Sequence, residues 1–228
     1  MEVAERIKRL PGEGGIEVLA RALALEAEGA DIIHLEVGEP DFKTPANILE
    51  VGIRALKAGD TRYSPAPGIP ELREAIAQNV SIRVGTEVKP EQVVVTPGGK
   101  AIAFFTFLAL LEPSDEVIYA NPGFPVYEAM TGFVGAKGVP LRLLEERGFR
   151  FEVEDFLSKL SPKTKLIVIN SPHNPTGSVL TKSDLEVVAE VAVERDLWVL
   201  SDEVYNRIIY EGESLSIASL PGMQRRTI

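Results

Sequence analysis

Lys165-Leu166-Ile167-Val168-Ile169-Asn170-Ser171-Pro172-His173-Asn174-Pro175-Thr176-Gly177 sets an apolar run against a loop of turn formers, and Leu197-Trp198-Val199-Leu200-Ser201-Asp202-Glu203-Val204-Tyr205 repeats the arrangement downstream. Neither run has a polar face. A strand that is apolar on both sides belongs in a parallel sheet covered by helices above and below. Residues 182–195, between the two runs, have helical spacing. Upstream the alternation continues as strand 92–96, helix 100–111, strand 116–119, helix 125–134, strand 138–143 and helix 153–160. Before that, helices are expected over 16–28, with Ile16, Leu19, Leu23 and Ala27 on one face and Gly29 as C-cap, over 46–58, and over 70–83 opening on Pro70. A short strand is expected over 32–37 and an irregular turn over 38–41. The fold predicted is α/β, a three-layer αβα sandwich around a mainly parallel sheet, with ligands beyond the carboxyl ends of the strands.

Composition agrees with that class and excludes others. The 228 residues carry 24 Lys and Arg against 34 Asp and Glu, a formal charge of −10, so a phosphate-backbone binder is not expected. With 45% hydrophobic and 25% charged residues the chain can bury a core, and disorder is excluded for most of it. One domain, with or without a small satellite, is the expectation at this length. The absence of cysteine removes disulfides, thiolate nucleophiles and Cys-based metal sites, and points to the cytoplasm. No apolar run approaches the roughly 20 residues that span a bilayer.

Four strand-end loops carry the candidate chemistry. Thr96-Pro97-Gly98-Gly99-Lys100 leads directly into a helix, which sets free backbone N–H groups and a positive dipole end beside two glycines; this is either an anion cradle or a tight turn without a ligand. Ala120-Asn121-Pro122-Gly123-Phe124-Pro125-Val126-Tyr127 holds one aromatic between two prolines, so Phe124 either stacks on a flat cofactor or caps the core. In 171–177, His173 has no second ligand suited to a metal and is read as structural. Asn174 is the functional candidate there, since an amide bonds a ligand oxygen without titrating. Asp202, at the mouth of an apolar strand with no cation near it in sequence, either meets a positive ligand or caps the turn that follows. Glu203 is read as backing Asp202 or as solvated.

Together with Gly38-Glu39-Pro40-Asp41-Phe42, Thr61-Arg62-Tyr63 with Gly68, and Leu72-Arg73-Glu74-Ala75-Ile76, these loops give a chain that resembles, over almost its whole length, fold-type I pyridoxal phosphate enzymes, specifically class I/II aminotransferases of the aspartate aminotransferase kind. The resemblance implies that pyridoxal 5'-phosphate is held through its phosphate by Gly98, Gly99 and Lys100, with Phe124 stacked on the ring and Asp202 against the ring nitrogen. Protonation of that nitrogen makes the ring an electron sink. Asn174 and Tyr205 would bond the ring's phenolic oxygen. Tyr63 would reach the phosphate of a neighbouring subunit in a homodimer, and Gly38 and Asn174 would face the substrate carboxylate. The implied reaction transfers an amino group between an amino acid and a 2-oxo acid.

The family also uses a Schiff-base lysine shortly after the Asp-x-x-Tyr segment and a carboxylate-clamping arginine in a C-terminal small domain. The last lysine here is Lys182, so no catalytic residue is assigned within these 228 residues. The chain is read as a portion of a longer enzyme, inactive alone, with 1–35 contributing to a small domain or interface and 36–228 forming an incomplete cofactor-binding domain. The alternatives are a lyase or synthase of the same fold, or a non-catalytic phosphate-binding domain.

Overall fold

Glu116–Asn121 (β1), Lys137–Arg142 (β2), Thr164–Asn170 (β3) and Trp198–Asp202 (β4) form one parallel sheet in the order β2-β1-β3-β4. They belong to a computed structural model that describes residues 2–10 and 14–228. The helices are Gly14–Ala27 (α1), Ala46–Ala58 (α2), Pro70–Val84 (α3), Gly99–Leu110 (α4), Pro125–Val134 (α5), Val153–Ser158 (α6) and Lys182–Glu194 (α7). The chain divides into two compact units. One comprises Pro70–Ile228 with the N-terminal residues to Leu10, and the other runs on to Ile69.

Because side chains alternate across a strand, the apolar runs supply both faces of the sheet. Ile118, Ile167, Ile169 and Val199 belong to one core with Phe156 of α6 and Leu185, Val188 and Ala192 of α7. Val117, Tyr119, Leu166, Val168 and Leu200 belong to the other, with Phe107 of α4 and Tyr127 of α5. The αβα layering expected from the sequence is what the structure has. Most of these side chains are almost completely removed from solvent, and each buried Val, Leu, Ile or Phe among them contributes about 1.5–3 kcal/mol of hydrophobic stabilisation. In β2, a Cβ added to Gly138 would fall 2.5 Å from the Tyr119 hydroxyl oxygen, so only glycine lets that ring lie across the strand.

Residues 226–228 run beside β4 in the parallel sense. The Val199 N–H donates to the Arg226 carbonyl at 2.8 Å, the Ile228 N–H to Val199 at 2.9 Å, and the Ser201 N–H to Ile228 at 2.8 Å.

Two expected strands are absent. Residues 32–37 are irregular: the His34 ring meets the Glu36 carboxylate at 2.5 Å and the Leu35 N–H donates to the same carboxylate at 2.9 Å, while Ile33 and Leu35 are exposed. Local side-chain bonds take the place of a ladder. Residues 93–96 are irregular as well, after a short 3-10 turn at Pro90–Gln92, and the Val93 carbonyl accepts from the Arg73 side chain at 3.0 Å rather than from a neighbouring strand. The helices end within three residues of their expected bounds. At the end of α1 Gly29 takes φ +95°, and the Ala30 N–H closes the turn on Leu25 at 3.0 Å.

Candidate functional site

The β3–β4 register sets Asn170 opposite Asp202 at the carboxyl ends of the two strands. Asn170 is buried and uses both ends of its amide: Nδ2 donates to the Asp202 carbonyl at 3.0 Å, and Oδ1 accepts from the Asn174 N–H at 2.7 Å. A single side chain therefore ties the end of β4 to the 171–177 loop. The Ser171 N–H adds a bond to the Asp202 carbonyl at 3.2 Å.

That loop closes on itself through the His173 N–H to Ser178 (2.9 Å) and the Gly177 N–H to His173 (2.8 Å). Its hydroxyls fix the imidazole. Ser178 donates to the Phe149 carbonyl, Thr176 donates to Ser178, and the Thr176 oxygen is left to accept from His173 Nδ1 at 2.8 Å. Burial pushes the His173 pKa below its ordinary value, with the Pro122 carbonyl acting in the opposite direction. The ring is buried and held at Nδ1. Asn174 is half-buried, and its side-chain amide makes no hydrogen bond among the described residues.

Asp202 receives two donors among the described residues. The Tyr127 hydroxyl donates to Oδ2 at 2.5 Å and the Val204 N–H to Oδ1 at 3.3 Å. The second bond is the turn cap considered from the sequence, and the first was not anticipated. Tyr127 lies in the first turn of α5, and its ring packs edge-on against Phe124 with centroids 5.7 Å apart. Burial drives the Tyr127 phenol pKa strongly upward, and the Asp202 charge adds to this, so the group stays a proton donor. Its only signal in the sequence was its place three residues after Phe124, behind the proline that starts a helix. Tyr205 is half-buried in the turn after β4, where its carbonyl accepts from the Ile208 N–H at 2.8 Å. Among the described residues Asp202 forms no ion pair, although it is partly buried.

At the start of α4, Gly98 is the N-cap with φ +87°, a left-handed conformation suited to glycine. No side chain caps this end. Thr96 instead bonds to Gly98, its carbonyl accepting from the Gly98 N–H at 2.8 Å and its hydroxyl donating to the Gly98 carbonyl at 3.0 Å. A Cβ at Gly98 or Gly99 would meet nothing within 4 Å among the described residues, and Lys100 follows in the first turn of this 12-residue helix. Gly98, Gly99, Lys100, Phe124, Asn174, Asp202 and Tyr205 thus all lie in the unit that contains the sheet. Gly38 and Tyr63 lie in the other unit, where Tyr63 is fully exposed.

The family model for aminotransferase class I and II matches residues 30–226. An arginine–pyruvate transaminase of Pseudomonas aeruginosa is 41% identical over all of this chain and 58% of its own length. An aspartate/prephenate aminotransferase of Thermus thermophilus is 42% identical over 94% of this chain and 56% of its own. Among solved structures, an aspartate aminotransferase from Thermus thermophilus, crystallised with maleate, superposes with a TM-score of 0.95 at 40% identity, covering all of this chain and 59% of that one. The chain thus spans a little under three fifths of the length of these relatives.

Proposed function

We propose, from the premise that this chain belongs to the aminotransferase class I and II family, that it is the cofactor-holding part of an enzyme that moves an amino group between an amino acid and a 2-oxo acid. Members of this family generally depend on pyridoxal 5'-phosphate. The observation that carries the reading is Asp202: a partly buried carboxylate at the mouth of a buried strand, oriented by Tyr127 and Val204 and without an ion-pair partner among the described residues. A carboxylate can accept more bonds than these two, and the cationic N–H of a pyridinium ring suits the remainder.

The other residues fit the same group. The uncapped start of α4 at Gly98, Gly99 and Lys100 offers backbone N–H groups and a positive dipole end to a phosphate. Phe124, held against Tyr127, offers a ring face to a flat heterocycle. Asn174 and Tyr205 offer an amide and a phenol to its phenolic oxygen. When bound, the cofactor supplies the electron sink for a carbanion at the substrate Cα. Asp202 would hold the proton on the ring nitrogen, and Tyr127 would hold Asp202 in place. Gly38 and Asn174 are proposed to face the substrate carboxylate, and the exposed Tyr63 to reach a second subunit. Named relatives act on arginine and pyruvate, on aspartate or on prephenate, so amino-acid donors and 2-oxo-acid acceptors of those kinds are the substrates to try.

Pyridoxamine 5'-phosphate is the probe for the site, because it has no aldehyde to react with surface lysines. Titrated against the fluorescence of the single tryptophan, Trp198 in β4, it should bind saturably, and Asp202→Ala should weaken binding about tenfold, the scale of a lost hydrogen bond to a charged group. Binding equally tight to Asp202→Ala would refute the placement. This chain has no lysine after Asp202, so we expect binding without turnover of amino acids.

A further inference from the structure

Glu203 follows Asp202 directly, and neither of its carboxylate oxygens is free. Oε1 accepts from the Ser201 hydroxyl at 2.8 Å and from the Ser216 hydroxyl at 2.7 Å, while Oε2 is paired with the Arg83 guanidinium. The three partners come from three places: the end of β4, the buried residue before the 3-10 turn Ile217–Ser219, and the last turn of α3. The Glu203 side chain is only 12% exposed. Burial lowers the Arg83 pKa, and the positive charge of Arg207 contributes as well.

We infer that Glu203 is a positioning residue for Asp202, acting through the backbone of the turn that follows Asp202. The Asn206 N–H donates to the Glu203 carbonyl at 3.0 Å, which makes Glu203 the first residue of the turn. The Val204 N–H of the same turn donates to Asp202 Oδ1. Anchoring the Glu203 side chain to α3 and to Ser216 therefore fixes the donor that, together with Tyr127, orients Asp202. Pairing with Arg83 also neutralises Glu203, which would otherwise offer a cationic ring nitrogen a second carboxylate beside the intended one.

The inference rests on the proposed cofactor site, and the test separates the two. The chain is titrated with pyridoxamine 5'-phosphate and with its 1-deaza analogue, in which carbon replaces the ring nitrogen. Glu203→Gln should weaken the first ligand roughly tenfold and the second less than about twofold, because only the first has a nitrogen for Asp202 to meet. In the Asp202→Ala background, Glu203→Gln should add no further loss for either ligand. Ser216→Ala keeps the ion pair and removes one anchor, so it should show the same selectivity at about threefold even if Glu203→Gln folds poorly. Equal weakening of both ligands, an undiminished effect without Asp202, or no effect of Ser216→Ala would overturn the positioning role while leaving the cofactor site standing. Failure of the unaltered chain to bind pyridoxamine 5'-phosphate would overturn both.

Discussion

Replacing Tyr127 by Phe removes one oxygen from a buried position and leaves Asp202, among the described residues, with only the Val204 N–H, 3.3 Å away, as a donor. The cavity left is negligible, so the effect isolates one hydrogen bond to a charged acceptor. The variant should lose about 1–2 kcal/mol of stability and bind pyridoxamine 5'-phosphate three- to tenfold more weakly, roughly the worth of such a bond. Chemical denaturation and the Trp198 titration measure the two effects, and a variant matching the parent in both would show that the 2.5 Å contact does not orient Asp202. Tyr127 also marks how far the sequence alone reaches. Phe124, Asn174 and Asp202 stand out because each breaks its local pattern: an aromatic between prolines, an amide among turn formers, a carboxylate after an apolar run. Tyr127 and Asn170 break nothing locally, since an aromatic on a helix and a polar residue ending a strand are ordinary. Their roles arise only when the sheet brings Tyr127 to a residue 75 positions away and sets Asn170 beside Asp202. Arg83, from α3, is hidden for the same reason, whereas Glu203 stood beside Asp202 in the sequence and only its partners were hidden.

The elements were legible in proportion to how locally they are stabilised. Helix α7 carries its own start signal: the Thr181 oxygen accepts from the Asp184 N–H at 3.2 Å, and Asp184 Oδ2 accepts from the Thr181 N–H and hydroxyl at 2.9 and 2.7 Å. Thr181→Ala should therefore cost about 1 kcal/mol, seen as a lower urea midpoint with an unchanged slope, whereas Thr181→Ser should be nearly neutral. An unchanged midpoint in Thr181→Ala would mean that the Arg150 to Asp184 pair at 2.9 Å holds this end of the helix by itself. Strands carry no such internal signal, because their hydrogen bonds belong to a neighbour. The apolar runs of β1, β3 and β4 were recognisable because burial on both faces writes the neighbours into the sequence. Residues 32–37 and 92–96 show strand-like composition too, but Glu36 satisfies the Leu35 N–H in the first and Arg73 the Val93 carbonyl in the second, and neither segment has a strand partner among the described residues.

At the scale of the whole molecule, the two units hold their charges in opposite senses, and this gives them different responses to pH. In the unit with the sheet, Glu116 accepts from Lys137 at 2.8 Å and from Ser161 at 2.6 Å, joining β1, β2 and the loop before β3, and these bonds hold its carboxyl below the ordinary value. Burial works against ionisation of Asp184, but Thr181 and Arg150 outweigh it and hold that carboxyl low as well. A carboxyl depressed by folding contributes stability that is complete above its unfolded pKa, about 4, and is lost as pH falls through the folded value. This unit should therefore be insensitive to pH from about 5 to 9 as far as these groups decide it, and should loosen in acid. In the other unit, His34 joins Glu36 at 2.5 Å and Glu26 of α1 at 3.0 Å, and the hydrogen bond to Glu36, then that to Glu26, raise the imidazole pKa above its ordinary value. A raised histidine contributes stability that is complete below about 6.5 and is lost as pH rises through the folded value. The depressed Glu36 confines the same contact to pH above its own folded value. The tie between α1 and 34–36 is thus strongest near pH 5–6 and is lost as pH rises through the raised imidazole pKa, where Glu116 and Asp184 keep theirs. Hydrogen exchange resolved by peptide, corrected for the intrinsic rate, should show residues 24–37 losing protection between pH 6 and 9 while 116–121 and 181–194 do not. His34→Gln should abolish the change in the first segment, and equal loss in all three segments would show that the pH response does not come from these pairs.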